Sequence, residues 1–314
     1  MTMNFARDPV MPRAAADACA WLANSPDDRW VLIDPAVVDT RRVKTVLSRF
    51  GLSAANALSA SRFSLYGDLA PRLAAVGPHV DANALVQSLI DLDPTSPAVT
   101  LLRVRNGAES LLNLFSWLAG VLVDDMLLHC RFADSRTLPS LLSILQAEQL
   151  EPLRRCVCGW GWFGPDGNFR FEVWEGTSRE HERESGTETP LRLASWQFDA
   201  MLDDCEPDVM FSQLVDTTPE LVPAEQRGAF RSRLVQLLSD ATELNVAQPP
   251  DRLQFLVLGL TCGPAFHRLP VLSPTWQAVR ERQESLRTIV SGWSDSTWQQ
   301  LERASGAADR NALV

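Results

Sequence analysis

Apolar positions fall into short unbroken runs over the first half of the chain and into three-and-four-residue stripes over the second. That pattern predicts strands mixed with helices, then helices alone. Trp30 to Ile33 reads as a strand stopped by Asp34 and Pro35, because proline removes a ladder donor and drives its predecessor out of the helical region. Val43, Val46, Leu47 and Phe50 then mark one helix face, with Asp39 or Thr40 to cap it and Gly51 to stop it. The short run Phe63 to Tyr66 closes at Gly67, and Ala70-Pro71 predicts a turn or short helix toward Gly77-Pro78. Leu85, Leu89 and Ile90 mark a second helix, Val99 to Val104 a second strand, and Leu111, Leu112, Phe115 and Leu118 a third helix.

From Met126 to Trp162 the pattern is a strand, a capped turn, an amphipathic helix and another strand in succession. Asp124-Asp125 predicts a hairpin turn between Val121 to Val123 and Met126 to Phe132. Asp134 or Ser135 can cap the next helix, whose core face is Leu138, Leu141, Leu142 and Leu145, with Pro139 confined to the first turn. Arg155 to Phe163 and Asn168 to Trp174 predict a second hairpin around Gly164 to Gly167.

Composition changes at Glu175, after which a stretch nearly free of apolar residues predicts an exposed loop. The expected organisation is an α+β lobe with a mixed, partly antiparallel sheet over 1–175, a linker over 176–190, and an all-α lobe over 191–314. Helix faces in the last part include Trp196, Met201 and Leu202, then Phe230, Leu234, Leu237 and Leu238, then Leu253 to Leu260. Trp276 to Trp293 and Ser296 to Arg303 follow as the final helices.

At 314 residues the chain is long enough for two cores. Its net charge of −10 repels phosphate backbones, so nucleic acid is not an expected partner. The lack of a long apolar run argues against a membrane span, and Asp8, Pro9 and Pro12 break the apolar run a secretory signal needs, so a cytoplasmic location is expected. Six dispersed cysteines without a CxxC pair are expected to be reduced and mostly buried, with no metal or other cofactor.

Gly159, Gly161 and Gly164 match the letters of GxGxxG, but they run from a strand into another turn and strand, with no helix dipole to face a phosphate. They read as hairpin glycines instead. Cys156 and Cys158, two apart, are expected on one strand face as small buried hydrophobes. His129 and Cys130 point to opposite strand faces and make no nucleophile and base pair, and His267 reads as a packing or capping residue. Asp34 is expected to form a turn or cap, and Arg131, Asp134 and Arg136 a local charge network at the strand-to-helix corner. Trp174, Trp293 and Trp298 have polar neighbours and are the tryptophans expected to be partly exposed.

With these residues in place, the chain resembles the effector chaperone or adaptor family of bacterial type VI secretion systems. The resemblance rests on WVLIDPA (Trp30 to Ala36), SLYG (Ser64 to Gly67), APRL (Ala70 to Leu73) and chiefly RFADSRTL (Arg131 to Leu138). The run RLQFLVLGLTCGPAFHRLP (Arg252 to Pro270) is similar to the family's apolar helix, Gly-Pro and Phe. Ala133 stands where the family has an aromatic residue and Ser135 where it has proline. The resemblance implies a non-enzymatic adaptor that holds a cognate effector in the cytoplasm and loads it onto the VgrG spike. Arg131, Phe132, Asp134 and Arg136 are then expected to support the partner surface, and Trp174, Trp293 and Trp298 to touch it. The competing expectation is a hydrolase-like enzyme with a site dispersed across the lobe junction, using His129 or His267.

Overall fold

A computed structural model describes residues 5–25, 28–95, 97–105, 107–175 and 190–311. Two compact units divide between Cys205 and Glu206. The first is α+β and the second helical.

In chain order the first unit comprises α1 (Pro12–Ala23), β1 (Asp28–Ile33), α2 (Thr40–Arg49), β2 (Ala54–Asn56), β3 (Arg72–Ala75), α3 (Ala82–Ile90), β4 (Val99–Val104), α4 (Gly107–Ala119), β5 (Gly120–Val123), β6 (Met126–His129), α5 (Leu138–Ile144), α6 (Ala147–Cys156), β7 (Val157–Phe163), β8 (Phe169–Val173) and β9 (Leu191–Leu193). The main sheet runs β2-β3-β1-β4-β7-β8 and is antiparallel throughout. A three-stranded sheet, β6-β5-β9, holds the mixed pairing, with β5 and β9 parallel.

Side chains alternate across a strand, so each central strand feeds two cores. Val31, Ile33, Val99 and Leu101 pack with α1, α2 and α3 on one face. Leu32, Leu102, Val104, Trp160 and Trp162 pack on the other with α4, α5, α6 and the small sheet. Asp39 and Asp81 cap α2 and α3 by accepting from main-chain amides two and three residues on.

The GxGxxG letters resolve into packing. The register of β4 against β7 shifts between Arg103 and Val104, making Cys158 the extra residue of a bulge. A Cβ on Gly159 would meet the Trp21 indole of α1 at 2.9 Å, and one on Gly161 the Phe169 ring of β8 at 2.5 Å. The glycines make room for aromatic rings.

Several expected elements are corrected. The turn expected after Ala70-Pro71 is β3, and β2 was not visible at all. Both are short and alanine-rich, and give no apolar contrast with their surroundings. The single helix expected after Arg136 is two: Leu145 is extended at the end of α5, and Gln146 and Gln149 form a reciprocal capping box that starts α6. Cys156 therefore ends a helix and is not on a strand face with Cys158.

The expected boundary also moves. Leu191–Leu193, assigned to an all-α lobe, is a strand, and the division comes only at Cys205. The physical reason is that Leu191 and Leu193 complete the core under β5, which a helix start there would leave uncovered. The expected linker falls, but for Pro190, outside the described residues.

The second unit begins inside α7 (Ser195–Thr217) and continues with α8 (Arg227–Glu243), α9 (Pro249–Thr261), α10 (Ser273–Arg280), α11 (Leu286–Ser291) and α12 (Asp295–Asn311). The helix expected from Trp276 to Trp293 breaks into α10 and α11 around Arg282, which takes a left-handed φ of 54°. Arg252 of α9 ties three helices together: its guanidinium pairs with Glu206 of α7 at 2.6 Å and donates to the Thr242 hydroxyl of α8 at 3.1 Å. No helix among the described residues is long and apolar enough to cross a membrane.

Candidate functional site

The corner between β6 and α5 is built from four charged groups. Asp34, just past β1, accepts from the Ala36 amide at 2.9 Å, the turn expected of it. Its second carboxylate oxygen takes a hydrogen bond from Arg131 at 2.7 Å. Arg131 also lies 3.4 Å from Asp134, and Asp134 is gripped by Arg136 through Nε and NH2, the latter at 2.7 Å. Asp134 also accepts from the Arg136 amide at 2.9 Å, which closes the turn before α5. The helix itself starts at Leu138, and Thr137 at its N-cap makes no side-chain cap, so Asp134 shapes the corner rather than capping α5 as expected.

Both carboxylates are buried, whereas the Arg131 side chain is 39% exposed and the Arg136 side chain 25%. The acids are thus fixed inside by cations that reach the surface, a low-cost way to bury carboxylates because each guanidinium keeps part of its hydration. Arg136 additionally lies over the Phe5 ring, 4.9 Å from its centroid. Phe132 supports the corner from beneath, stacked on Phe115 with centroids 4.8 Å apart and edge-on to Trp160. Ala133 and Ser135, which differ from the motif the segment resembles, are buried, so neither is part of an exposed surface.

Beside Arg131 is an apolar cavity of about 230 Å³ within the first unit. Leu128, Leu193, Phe198 and Met201 form its walls, with His129, Arg131 and Thr137 as polar members. Sequence reasoning reached Arg131 and His129 but missed the walls from β9 and α7, which come from more than 60 residues along the chain. No local signal marks them as neighbours of the motif.

His129 contacts the Ala119 carbonyl through Nδ1 at 3.2 Å. Burial holds its pKa below the ordinary value of 6.5. A neutral imidazole with Nδ1–H donating to that carbonyl leaves Nε2 as an acceptor. The adjacent Cys130 is buried, and its thiol is pushed up to about 12 by that burial, which removes the thiolate a nucleophile needs. His267, in the second unit, packs among Phe255 and Phe266, the packing role expected of it. Among the described residues, no group of three or more His, Cys, Asp or Glu could hold a metal ion.

Trp174 does not line this cavity, and Trp293 and Trp298 belong to the second unit. Trp174, past the end of β8, is half-buried against the first unit's core, and its carbonyl accepts from Arg105. Trp293 and Trp298 are half-buried and meet edge to face at 5.2 Å in the second unit. The tryptophan with the most exposed side is Trp196, at the start of α7. No family model, curated protein or solved structure matches the chain.

Proposed function

We propose that the chain is a non-enzymatic, cytoplasmic adaptor that holds a type VI secretion effector and loads it onto the VgrG spike. The reading starts from the resemblance, and one observation carries it further. The RFADSRTL segment is a rigid ion-paired corner whose outward cation borders an apolar cavity large enough for one bulky side chain. Binding energy at protein interfaces concentrates where a large side chain fills a desolvated pocket beside a charged or polar rim, and this cavity has both parts. The effector would supply an apolar anchor, with an acidic group or carboxylate near Arg131. The protonated Cys130 and the carbonyl-bound His129 favour binding over hydrolysis at this place.

The test is co-expression with the effector and spike encoded beside this gene, followed by size-exclusion chromatography. The adaptor reading expects at least one of them to co-elute with the chain. Leu128→Glu, which puts a charge into the cavity wall, is expected to lower effector retention at least tenfold while circular dichroism still shows the folded chain. Retention of neither protein by the wild-type chain sinks the proposal.

A further inference from the structure

β8 is the outer strand of the main sheet, and on its far side no strand pairs with it among the described residues. Four of its five residues are exposed, including Phe171 and Val173 at 51% each. An edge of this kind presents unpaired amides and carbonyls to another strand.

The ladder fixes which groups face outward. Gly164 donates to the Asn168 carbonyl and Trp174 to the Cys158 carbonyl, both at 2.8 Å, at the two ends of the β7–β8 register. Hydrogen-bonded pairs alternate in an antiparallel ladder, so Arg170 and Glu172 also turn their main-chain groups to β7. Those of Phe169, Phe171 and Val173 point away from the sheet.

We propose that this edge pairs with the same edge of a second copy of the chain, antiparallel about a two-fold axis at Phe171. In that register Phe171 faces Phe171, and Phe169 faces Val173. These are the residues whose amides and carbonyls point outward, and three such pairs exchange about six main-chain hydrogen bonds. Arg170 of each copy falls opposite Glu172 of the other, in the closer non-hydrogen-bonded position where opposite charges attract. The strand is therefore complementary to its own reverse in hydrogen bonding and in charge, as an isologous interface requires. Arg170 now pairs with Asp166 at 3.0 Å in an exposed contact, which is cheap to share or exchange. The apolar face also continues across the axis, since Phe169 and Phe171 lie 5.7 and 5.8 Å from the Trp21 ring and the copy's rings extend that row. One strand pair buries less than a standard interface, so the dimer is concentration-dependent.

Sedimentation equilibrium of the full chain tests this. The average mass is expected to rise from 34.8 kDa toward twice that value between ~1 and ~300 µM. Phe171→Pro removes an outward amide and leaves the β7 ladder whole, and should hold the chain monomeric with its unfolding midpoint preserved. Arg170→Glu sets like charges against each other and should raise the dimer Kd about tenfold. Adding Glu172→Arg to it restores opposite charges and should recover wild-type association. A wild-type chain that stays monomeric across the range overturns the proposal. So does a dimer indifferent to Phe171→Pro, or a double variant as weak as Arg170→Glu alone.

Discussion

Removing Arg131 and removing Asp34 do not cost the same, because the first can reach water and the second cannot. The Asp34 side chain is 4% exposed, and its ion-pair partner is Arg131. Arg131→Met leaves that carboxylate buried beside an apolar chain and is expected to cost about 3 kcal/mol. Asp34→Asn keeps the turn acceptor and leaves Arg131 its contact with Asp134 and its access to water, so about 1 kcal/mol is expected. Urea midpoints at constant slope measure both, and equal costs would mean the pair is not limited by burial. His129 adds a pH dependence of determined sign. Its folded pKa lies below the ordinary 6.5, so above that value both states are neutral and nothing is gained or lost. As the pH falls through 6.5 the unfolded state takes up the proton first, and stability declines until the folded pKa is passed. A His129→Gln chain is expected to lack this part of the acid loss in unfolding titrations between ~pH 7 and ~pH 5. Cys130 and Cys156, both raised to about 12 by burial, are expected to stay unlabelled by iodoacetamide in the native protein and to react on unfolding, as peptide mass spectra would record.

At the scale of elements, the tightest approach is the β7–β8 turn under the N-terminal segment. Asp8 donates to the Pro165 carbonyl at 2.8 Å and Met11 to the Gly167 carbonyl at 3.1 Å. Gly167 has a left-handed φ of 71°, and a Cβ there would sit 2.2 Å from the Pro9 carbonyl oxygen. Gly167→Ala is expected to cost about 3 kcal/mol, whereas Gly51→Ala, at φ 68° with open space around it, should cost only about 1 kcal/mol of backbone strain. The difference in denaturation midpoint isolates the close approach. This turn was legible in the chain, as were both hairpins, the β1 and β4 strands and the Asp39 cap, because each is a local pattern of four to ten residues. What stayed hidden depends on distant partners. β9 is three residues long and acquires its identity only from β5, some 70 residues earlier. The corner shows the same division: Arg131, Asp134 and Arg136 stand together in sequence and were found. Asp34 was read only as a turn or cap, because its arginine lies 97 residues away. The cavity walls from Leu193, Phe198 and Met201 had no sequence signature, since apolar residues in a strand and a helix look the same whether they line a cavity or fill a core.

The whole molecule carries a net charge of −10, and this long-range field acts on any partner before contact is made. On the adaptor reading proposed above, an effector docking beside Arg131 would meet a local cation on a molecule of net negative charge. Its anchor can carry one negative group while the rest of its approaching face is neutral or basic. The association rate is then expected to fall as salt rises, because raising ionic strength from ~0.1 M to ~1 M shortens the screening length from about 10 Å to about 3 Å. The dissociation rate should change much less, since the contacts that hold an apolar anchor in its cavity are short-ranged and gain slightly in strength at high salt. Stopped-flow or surface-bound kinetics with the purified effector separate the two rates. Opposite behaviour, with association accelerated by salt, would mean that two acidic faces meet and that attraction at Arg131 is too local to guide the encounter. Duplex DNA tests the same field independently. At one charge per roughly 1.7 Å, it should not be retained by this chain even at low salt, where an exposed basic groove would bind it.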